Sequence, residues 1–380
     1  MNGARRGAAW ARLVRGILAR LFAVGFGILL AATIAELGTR AFAPQRTGPV
    51  ELTYDRRVGS IPVPNRRGTV TVPGVYQYTF TNDPLGLRVT GVVDRVKAGV
   101  RVLLLGDSFT YGTGVNDSQT FAHGLEERFA RDGLSVAVIN AGNSGKGTAY
   151  ALRFMETIGR TLNSDLAVLC FFPNDFRDNV RTYVYKVGSG GTLTVNPGLG
   201  KVYRQKEILN RLGVYNWLVS WSHLANAIKQ ASIRLVRARI HANEGDAVAF
   251  VPETGRHITK TTTAVTNLFL KALVRETRVA GTGLMVAYIP RSGDINRFRE
   301  GRGLSPEETV LRRLVPPGVP FVSLTSTIAA SPHPVEVLYF DEGRTGRYDG
   351  HWTGVAHGLA AGALEQPIKE LLKARRVAGR

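Results

Sequence analysis

The chain of 380 residues is 44% hydrophobic, so it can bury one large core and still carry an accessory region. Its single cysteine, Cys170, excludes an intrachain disulfide and a cysteine zinc cluster, and the apolar run around it predicts a buried thiol. The net charge of +20 comes from scattered basic residues. That scatter is typical of a solvated face, and it favours an anionic membrane or acidic envelope polymer over nucleic acid as a partner.

The N-terminus predicts a membrane anchor. Five arginines within the first 20 residues precede the mostly apolar stretch 21–37, which carries one charge, Glu36. Roughly 17 to 25 residues are enough to span a bilayer, and the positive flank should keep the N-terminus in the cytoplasm. We therefore expect residues 1–43 to be a signal-anchor, with a single pass through the cell inner membrane and the rest of the chain in the periplasm.

Two alternatives to the anchor stay open. Ala41-Phe42-Ala43 resembles a signal peptidase site, although Pro44 directly after it should hinder cleavage. A buried amphipathic helix is the other alternative, and the arginines with no acid before Glu36 argue against it.

Residues 44–99 form the next region and are rich in Pro, Gly, Val and Thr. Within it, 69–72 and 76–80 alternate apolar and polar residues with period two, which predicts short strands. We expect an accessory β-rich region that packs on the domain that follows it.

The main domain, which holds the candidate site residues described below, is expected over residues 100–380. Five apolar runs of strand length predict its core strands: 100–105, 135–139, 166–172, 284–289 and 320–322. Helical stretches separate them, such as 119–129, for which Asn116-Asp117-Ser118 offers a cap. This alternation predicts a parallel sheet with helices on both faces, which is an α/β fold.

Two of these strands end in residues that suit acyl-ester chemistry. Ser108 follows the first strand in Gly106-Asp107-Ser108, at the carboxyl end where open α/β sheets place their sites. Asn174, in Asn174-Asp175 after the third strand, offers a side-chain amide as an oxyanion donor. Both segments are also ordinary cap and turn sequences.

The segment Asp349-Gly350-His351-Trp352 offers a base for a serine nucleophile. Imidazole can take the serine proton near neutral pH, and Asp349 can hold the other ring nitrogen of His351. The six other histidines have no acidic residue two or three positions before them, so His351 is the best base on local grounds. A plain turn before a helix is the alternative, and His357 is expected to pack or to face solvent.

An insertion is expected at 180–280. Its Gly-rich start, 187–200, predicts a hairpin or mobile loop, and 208–240 has the pattern of an amphipathic helix broken near Gly213. Core packing is the simpler interpretation of this helix. A lid or membrane-facing element over the site is the alternative.

Taken together, the blocks resemble the SGNH, or GDSL-type, hydrolase superfamily over roughly residues 100–372. The glycine block is Asn140-Ala141-Gly142-Asn143-Ser144-Gly145; Phe172 replaces the usual glycine of the asparagine block, and the terminal block is one residue short. The resemblance implies a flavodoxin-like three-layer fold and a Ser108, His351, Asp349 triad. It also implies an oxyanion hole made by the backbone amides of Ser108 and Gly145 and the side chain of Asn174, with no metal and no cofactor.

Two further likenesses narrow the subgroup. Residues 81–88 resemble the Asn-x-x-Gly-x-Arg segment of bacterial membrane-associated SGNH proteins, and 349–353 resemble the Asp-x-His-Trp motif of alginate-type O-acetyltransferases. The block order is that of the hydrolases. We therefore expect a membrane-anchored serine esterase that acts on an acylated small molecule or a cell-envelope glycan. An O-acyltransferase acting on an envelope polysaccharide and a non-catalytic SGNH-like binding protein are the alternatives.

Overall fold

The computed structural model describes residues 2–181, 184–243, 258–341 and 350–377. Its strands are β1 (Leu52–Asp55), β2 (Gly59–Pro62), β3 (Arg67–Val72), β4 (Tyr76–Thr81), β5 (Val100–Gly106), β6 (Val136–Gly142), β7 (Leu166–Phe171), β8 (Tyr185–Val187), β9 (Leu193–Val195), β10 (Gly283–Tyr288) and β11 (Phe321–Ser323). Its α-helices are α1 (Asn2–Phe42), α2 (Ser108–Tyr111), α3 (Phe121–Arg131), α4 (Thr148–Glu156), α5 (Asp175–Arg181), α6 (Lys201–Asn210), α7 (Gly213–Trp221), α8 (His223–Asn243), α9 (Lys260–Val279), α10 (Ser292–Arg299), α11 (Pro306–Leu314), α12 (Leu324–Ala329), α13 (Val335–Leu338) and α14 (Gly354–Val377).

The central sheet has the order β11-β10-β7-β5-β6, and every neighbouring pair is parallel. Counted along the chain, the five core strands thus follow the flavodoxin-like order 2-1-3-4-5. All five predicted core strands are confirmed, with ends that differ by a few residues. The following helix α3 begins later than predicted, because Thr120 and not the Asn116 segment caps it by accepting from the amide of His123.

Alternate residues of the buried strands face two separate apolar layers. Val102 and Leu104 of β5 pack with α3, α12 and α14, whereas Leu103 and Leu105 pack with α4, α9 and α11. Both faces of the sheet are therefore covered by helices, as the continuous apolar runs require. The predicted three-layer α/β fold is confirmed.

The region before the sheet forms two antiparallel hairpins, β1–β2 and β3–β4, of which the second matches the predicted alternation. Val70, Tyr78 and Phe80 of the β3–β4 hairpin pack against Tyr111 of α2. Because α2 begins at Ser108, this accessory hairpin supports the helix that carries the candidate nucleophile.

The segment expected as an insertion starts with the β8–β9 hairpin and continues in α6, α7 and α8, with the helix break at the predicted glycine. The helix α9 that follows buries Phe269 and Leu273 against the sheet and belongs to one of its two covering layers.

The chain divides into two compact units: α1 with α8 and the end of α7, and the part that contains the sheet. Within Leu13–Phe42 of α1, the most apolar stretch of 18 residues has a mean hydropathy of 2.2, and none of that stretch is buried. By length and composition this helix can cross a membrane.

Candidate active site

The candidate site residues follow three adjacent strands of the sheet. The register sets Gly106 at the end of β5 opposite Gly142 of β6 and Cys170 of β7. Ser108, Gly145 and Asn174 come two to four residues after these positions, on loops at the carboxyl edge of the sheet. The fold thus gathers side chains that are far apart in the sequence at the place where α/β folds bind their substrates.

Ser108 is the first residue of the short helix α2, and Asp107 caps this helix by accepting a hydrogen bond of 2.9 Å from the amide of Phe109. Gly106 and Gly142 allow the turn, because a Cβ atom at either position would collide with Thr110 or with the backbone of Tyr111. The close backbone packing fixes the strand-to-helix turn and leaves Ser108 half-buried at its start.

His351 meets the serine directly: its Nε2 lies 2.9 Å from Ser108 Oγ. The histidine segment is held in an extended bridge, in which Tyr339 pairs with Trp352 and the amide of Phe340 donates to the carbonyl of His351 at 2.9 Å. Gly350 lies so close to the carbonyl of Phe340 that no side chain would fit there. The predicted nucleophile and base are therefore within hydrogen-bond distance.

Aromatic rings surround this pair. Phe109 lies 5.2 Å from the His351 ring, stacks on Phe172 at 4.2 Å and meets the buried Trp352 edge-on at 5.5 Å, all measured between ring centroids. Phe172, the residue that departs from the usual glycine, thus fills the base of the site next to the nucleophile. Asp349, the predicted partner of His351, lies outside the described residues.

The expected oxyanion donors are Ser108 itself and two residues on the loops that follow the neighbouring strands β6 and β7. Among the described residues, the amides of Ser108 and Gly145 donate no hydrogen bond to the protein. Gly145 has a φ of +69°, a left-handed conformation that favours glycine. The carbonyl of Asn174 accepts from the amides of Arg177 and Asp178 at 2.9 Å each, which fixes its backbone at the start of α5. Unpaired backbone amides beside a serine are what a developing oxyanion needs.

Three buried carboxyl groups lie behind the nucleophile: Asp107, Asp175 and Asp178. Burial raises the pKa of Asp107 to about 7, although nearby His351 acts to lower it. Burial also raises the pKa of Asp175 and of Asp178, and the charge of Asp107 adds to the effect on Asp175. The acidic cluster therefore carries less than its formal charge near neutral pH.

Sequence reasoning assigned no role to Arg88, which the structure buries completely. Its guanidinium pairs with Asp117 at 2.8 Å and donates to the carbonyls of Tyr111, Gly112 and Val115 at 2.9, 2.5 and 2.6 Å. It therefore closes the loop that follows the nucleophile helix. The signal in the sequence was the Asn82 to Arg88 segment, whose physical purpose only the fold reveals.

Lys146, next to the candidate donor Gly145, was also missed. It is 8% exposed, and its Nζ lies 4.9 Å from the ring centroid of Tyr203 and 5.7 Å from that of Tyr150. Aromatic rings attract an ammonium group placed over their faces, so Tyr150 and Tyr203 hold this side chain in place. Its charge acts to lower the pKa of Asp178, one of the three buried carboxyl groups, against the larger effect of burial.

The other candidates from the sequence are structural. His357 is buried in α14, accepts a hydrogen bond from the amide of Phe121 at 3.2 Å, and has its pKa lowered to about 3 by burial. Cys170 is buried in β7, and burial raises the pKa of its thiol to about 12, so it is unreactive. Within the described ranges, no cluster of His, Cys, Asp and Glu side chains could hold a metal ion.

No protein-family model and no curated protein matches the sequence of this chain. It is similar in structure to an acetyl xylan esterase (14% identity, 71% of this chain and 100% of that one, TM-score 0.38). It is also similar to a lipase/acylhydrolase from Enterococcus faecalis (14%, 71% and 96%, TM-score 0.37) and to a protein from Desulfitobacterium hafniense described as lipolytic and of the G-D-S-L family (12%, 70% and 99%, TM-score 0.35). With TM-scores below 0.5, the likeness assigns no activity, which must be argued from this chain's own residues.

Proposed function

We propose that the chain is an SGNH-type serine ester hydrolase that works through an acyl-serine intermediate. The observation that carries the proposal is the 2.9 Å contact between Ser108 Oγ and His351 Nε2, at the carboxyl edge of the sheet and beside backbone amides without a protein acceptor. A serine hydroxyl becomes a competent nucleophile when a base within hydrogen-bond distance takes its proton.

In the proposed mechanism, Ser108 Oγ attacks the ester carbonyl while its proton passes to His351 Nε2. The amides of Ser108 and Gly145 and the side chain of Asn174 stabilise the oxyanion. His351 then gives the proton to the leaving alkoxide, and the acyl group stays on Ser108. Water, deprotonated by His351, attacks this ester, and as the bond to Ser108 Oγ breaks the proton passes from His351 back to Ser108 Oγ and the acid is released. Asp349 would orient the imidazole and stabilise its charged form throughout.

We further propose that α1 anchors the enzyme in the cell inner membrane, with the catalytic unit on the periplasmic side. The support is the length and hydropathy of residues 13–42 and the five arginines that precede residue 21. For an enzyme in this compartment, an acylated small molecule or a cell-envelope glycan is the accessible substrate, and an acetyl ester is the expected bond.

The deciding experiment incubates the purified full chain with a chromogenic acetyl ester, with and without an envelope glycan as acceptor. Released acid and acylated glycan are both measured. Acid alone supports the hydrolase. Acylated glycan would instead identify an O-acyltransferase, the runner-up, because the same acyl-serine can pass its acyl group to a sugar hydroxyl. If neither product forms, the chain is a non-catalytic binding protein.

A further inference from the structure

Near the end of the apolar helix α1, the side chain of Glu36 caps the start of α8. The carboxylate of Glu36 accepts hydrogen bonds from Ser222 Oγ at 2.7 Å and from the amides of His223 and Leu224 at 3.0 and 2.9 Å. These amides belong to the first turn of α8, where a carboxylate satisfies donors that have no partner within the helix. Glu36, the one acidic residue of α1, thus fixes where α8 begins.

Arg40, one turn further along α1, fixes the end of α7 in the same place. Its Nε pairs with Glu36 at 2.6 Å, and its Nη2 donates to the carbonyl of Trp221 at 3.1 Å. Its guanidinium lies 5.5 Å from the centroid of the Trp221 ring. The amide of Gln45 adds a hydrogen bond of 2.7 Å to Nδ1 of His223. The junction of α7 and α8 is therefore locked to α1 where its apolar stretch ends.

This junction exposes large aromatic surface. Trp217 is 60% exposed and Trp221 is 39% exposed, although their ring centroids lie only 5.0 Å apart. Ile228, in the second turn of α8, is 58% exposed. Core packing was the simpler interpretation of this amphipathic pattern. It does not explain why these three side chains are exposed in the described part of the chain. Exposed apolar clusters on a stable protein mark surfaces that meet something else.

The depth of the cluster along α1 identifies what it meets. The apolar stretch of α1 ends at Leu37, and Arg40, less than one helical turn further on, binds the carbonyl of Trp221, whose ring lies against that of Trp217. If α1 spans a bilayer, this level is the boundary between acyl chains and head groups, where tryptophan is enriched. The sequence of α8 is basic and contains no acidic residue, and a basic segment is attracted to anionic head groups.

We propose that the segment 217–221 is an interfacial element seated in the head-group layer of the same bilayer that α1 crosses. This proposal rests on the anchor part of the proposed function. The chain would then contact the membrane in two ways. Helix α1 crosses the bilayer, and the segment 217–221, bound to α1 through Glu36 and Arg40, lies at the surface of the bilayer.

The test uses the full chain reconstituted in vesicles of phosphatidylethanolamine and phosphatidylglycerol, with or without acyl chains brominated near the head group. The Trp10→Phe protein retains three tryptophans, of which Trp352 is buried and should not be reached by bromine. We expect brominated lipid to quench the tryptophan fluorescence of this protein. The quenching should be lost when Trp217→Phe and Trp221→Phe are added. The added changes are far from Ser108 in sequence and should leave ester turnover unchanged.

Retention of the chain in vesicles after an alkaline carbonate wash tests the anchor separately. If the chain is retained but the Trp10→Phe protein is not quenched, the interfacial proposal is wrong and the anchor stands. If the chain is released, the anchor fails and the interfacial proposal fails with it. Tryptophan emission that ignores bromine but shifts with protein concentration would show that a second copy covers the cluster, which also overturns the proposal.

Discussion

Replacing Asp107 by Asn should make the protein more stable at neutral pH than the natural chain. Asp107 is fully buried directly before the nucleophile; its Oδ1 accepts from the amide of Phe109, and its Oδ2 is buried with no hydrogen-bond partner in the described part of the chain. An asparagine keeps the Oδ1 contact and has nearly the shape of the protonated acid. The variant therefore isolates the cost of the buried negative charge.

The magnitude follows from the pKa of Asp107, which burial raises from 3.8 to about 7. Since a tenfold change in a proton equilibrium is worth about 1.4 kcal/mol, ionising this group costs the folded state about 4 kcal/mol relative to the unfolded chain. The folded pKa is the higher one, so Asp107 costs the folded state nothing below pH 4, where it is protonated in both states. The cost grows as the pH rises towards 7 and is complete above it, so the free energy of unfolding falls over this range. Asp107→Asn should remove this part of the pH dependence.

Urea unfolding in detergent from pH 4 to pH 8 measures the difference. The fluorescence of Trp352, in a background where the three other tryptophans are phenylalanine, reports on the sheet unit next to Phe109. We expect similar free energies of unfolding for the two proteins near pH 4 and an advantage for Asp107→Asn that grows to a few kcal/mol by pH 8. A difference that stays constant over this range would refute the reasoning, because it would mean that Asp107 ionises without a burial penalty.

The remaining predictions concern the catalytic residues and the anchor. Ser108→Ala should lower turnover of a chromogenic ester by at least about 10³-fold without loss of stability, and adding His351→Ala should lower it little further, since the two act as a unit; near wild-type turnover would exclude Ser108 as the nucleophile. Asn174→Ala should lower kcat by about 10²- to 10³-fold with little change in KM, and an effect on KM alone would contradict an oxyanion role. Asp349→Asn should lower kcat strongly if Asp349 orients His351, whereas His357→Ala should leave turnover nearly intact; the reverse result would mean that the base is misassigned. The full chain should stay in the membrane fraction after a high-salt wash, and a soluble product beginning near residue 44 would identify a cleaved signal.

The fold was predictable from the sequence because its strands are buried on both faces. Each core strand is a short apolar run, and the helices between them carry one apolar face, so the alternation alone implies a parallel sheet with two helical layers. The pair β1–β2 was missed because Leu52–Asp55 and Gly59–Pro62 are too short and too mixed in composition for a period-two pattern. The start of α3 was misplaced because Asn116, Asp117 and Thr120 are all good caps, and only the packing of Phe121 selects between them.

The same contrast holds within the site. Ser108, His351 and Asn174 could be proposed from the sequence because a nucleophile, a base and an oxyanion donor need particular residue types. Parallel strands also bring their carboxyl ends together, wherever the strands lie in the chain. The roles of Arg88 and Lys146 could not be predicted from the sequence, because they depend on which carbonyls and rings the fold places around these side chains. A basic residue in a chain of net charge +20 is ordinarily solvated, so its burial cannot be read from composition or spacing. Once buried, Arg88 must find acceptors for most of its five donors, and the carbonyls of residues 111, 112 and 115 supply them. The nucleophile loop therefore depends on a residue that sequence patterns alone mark only as part of a motif.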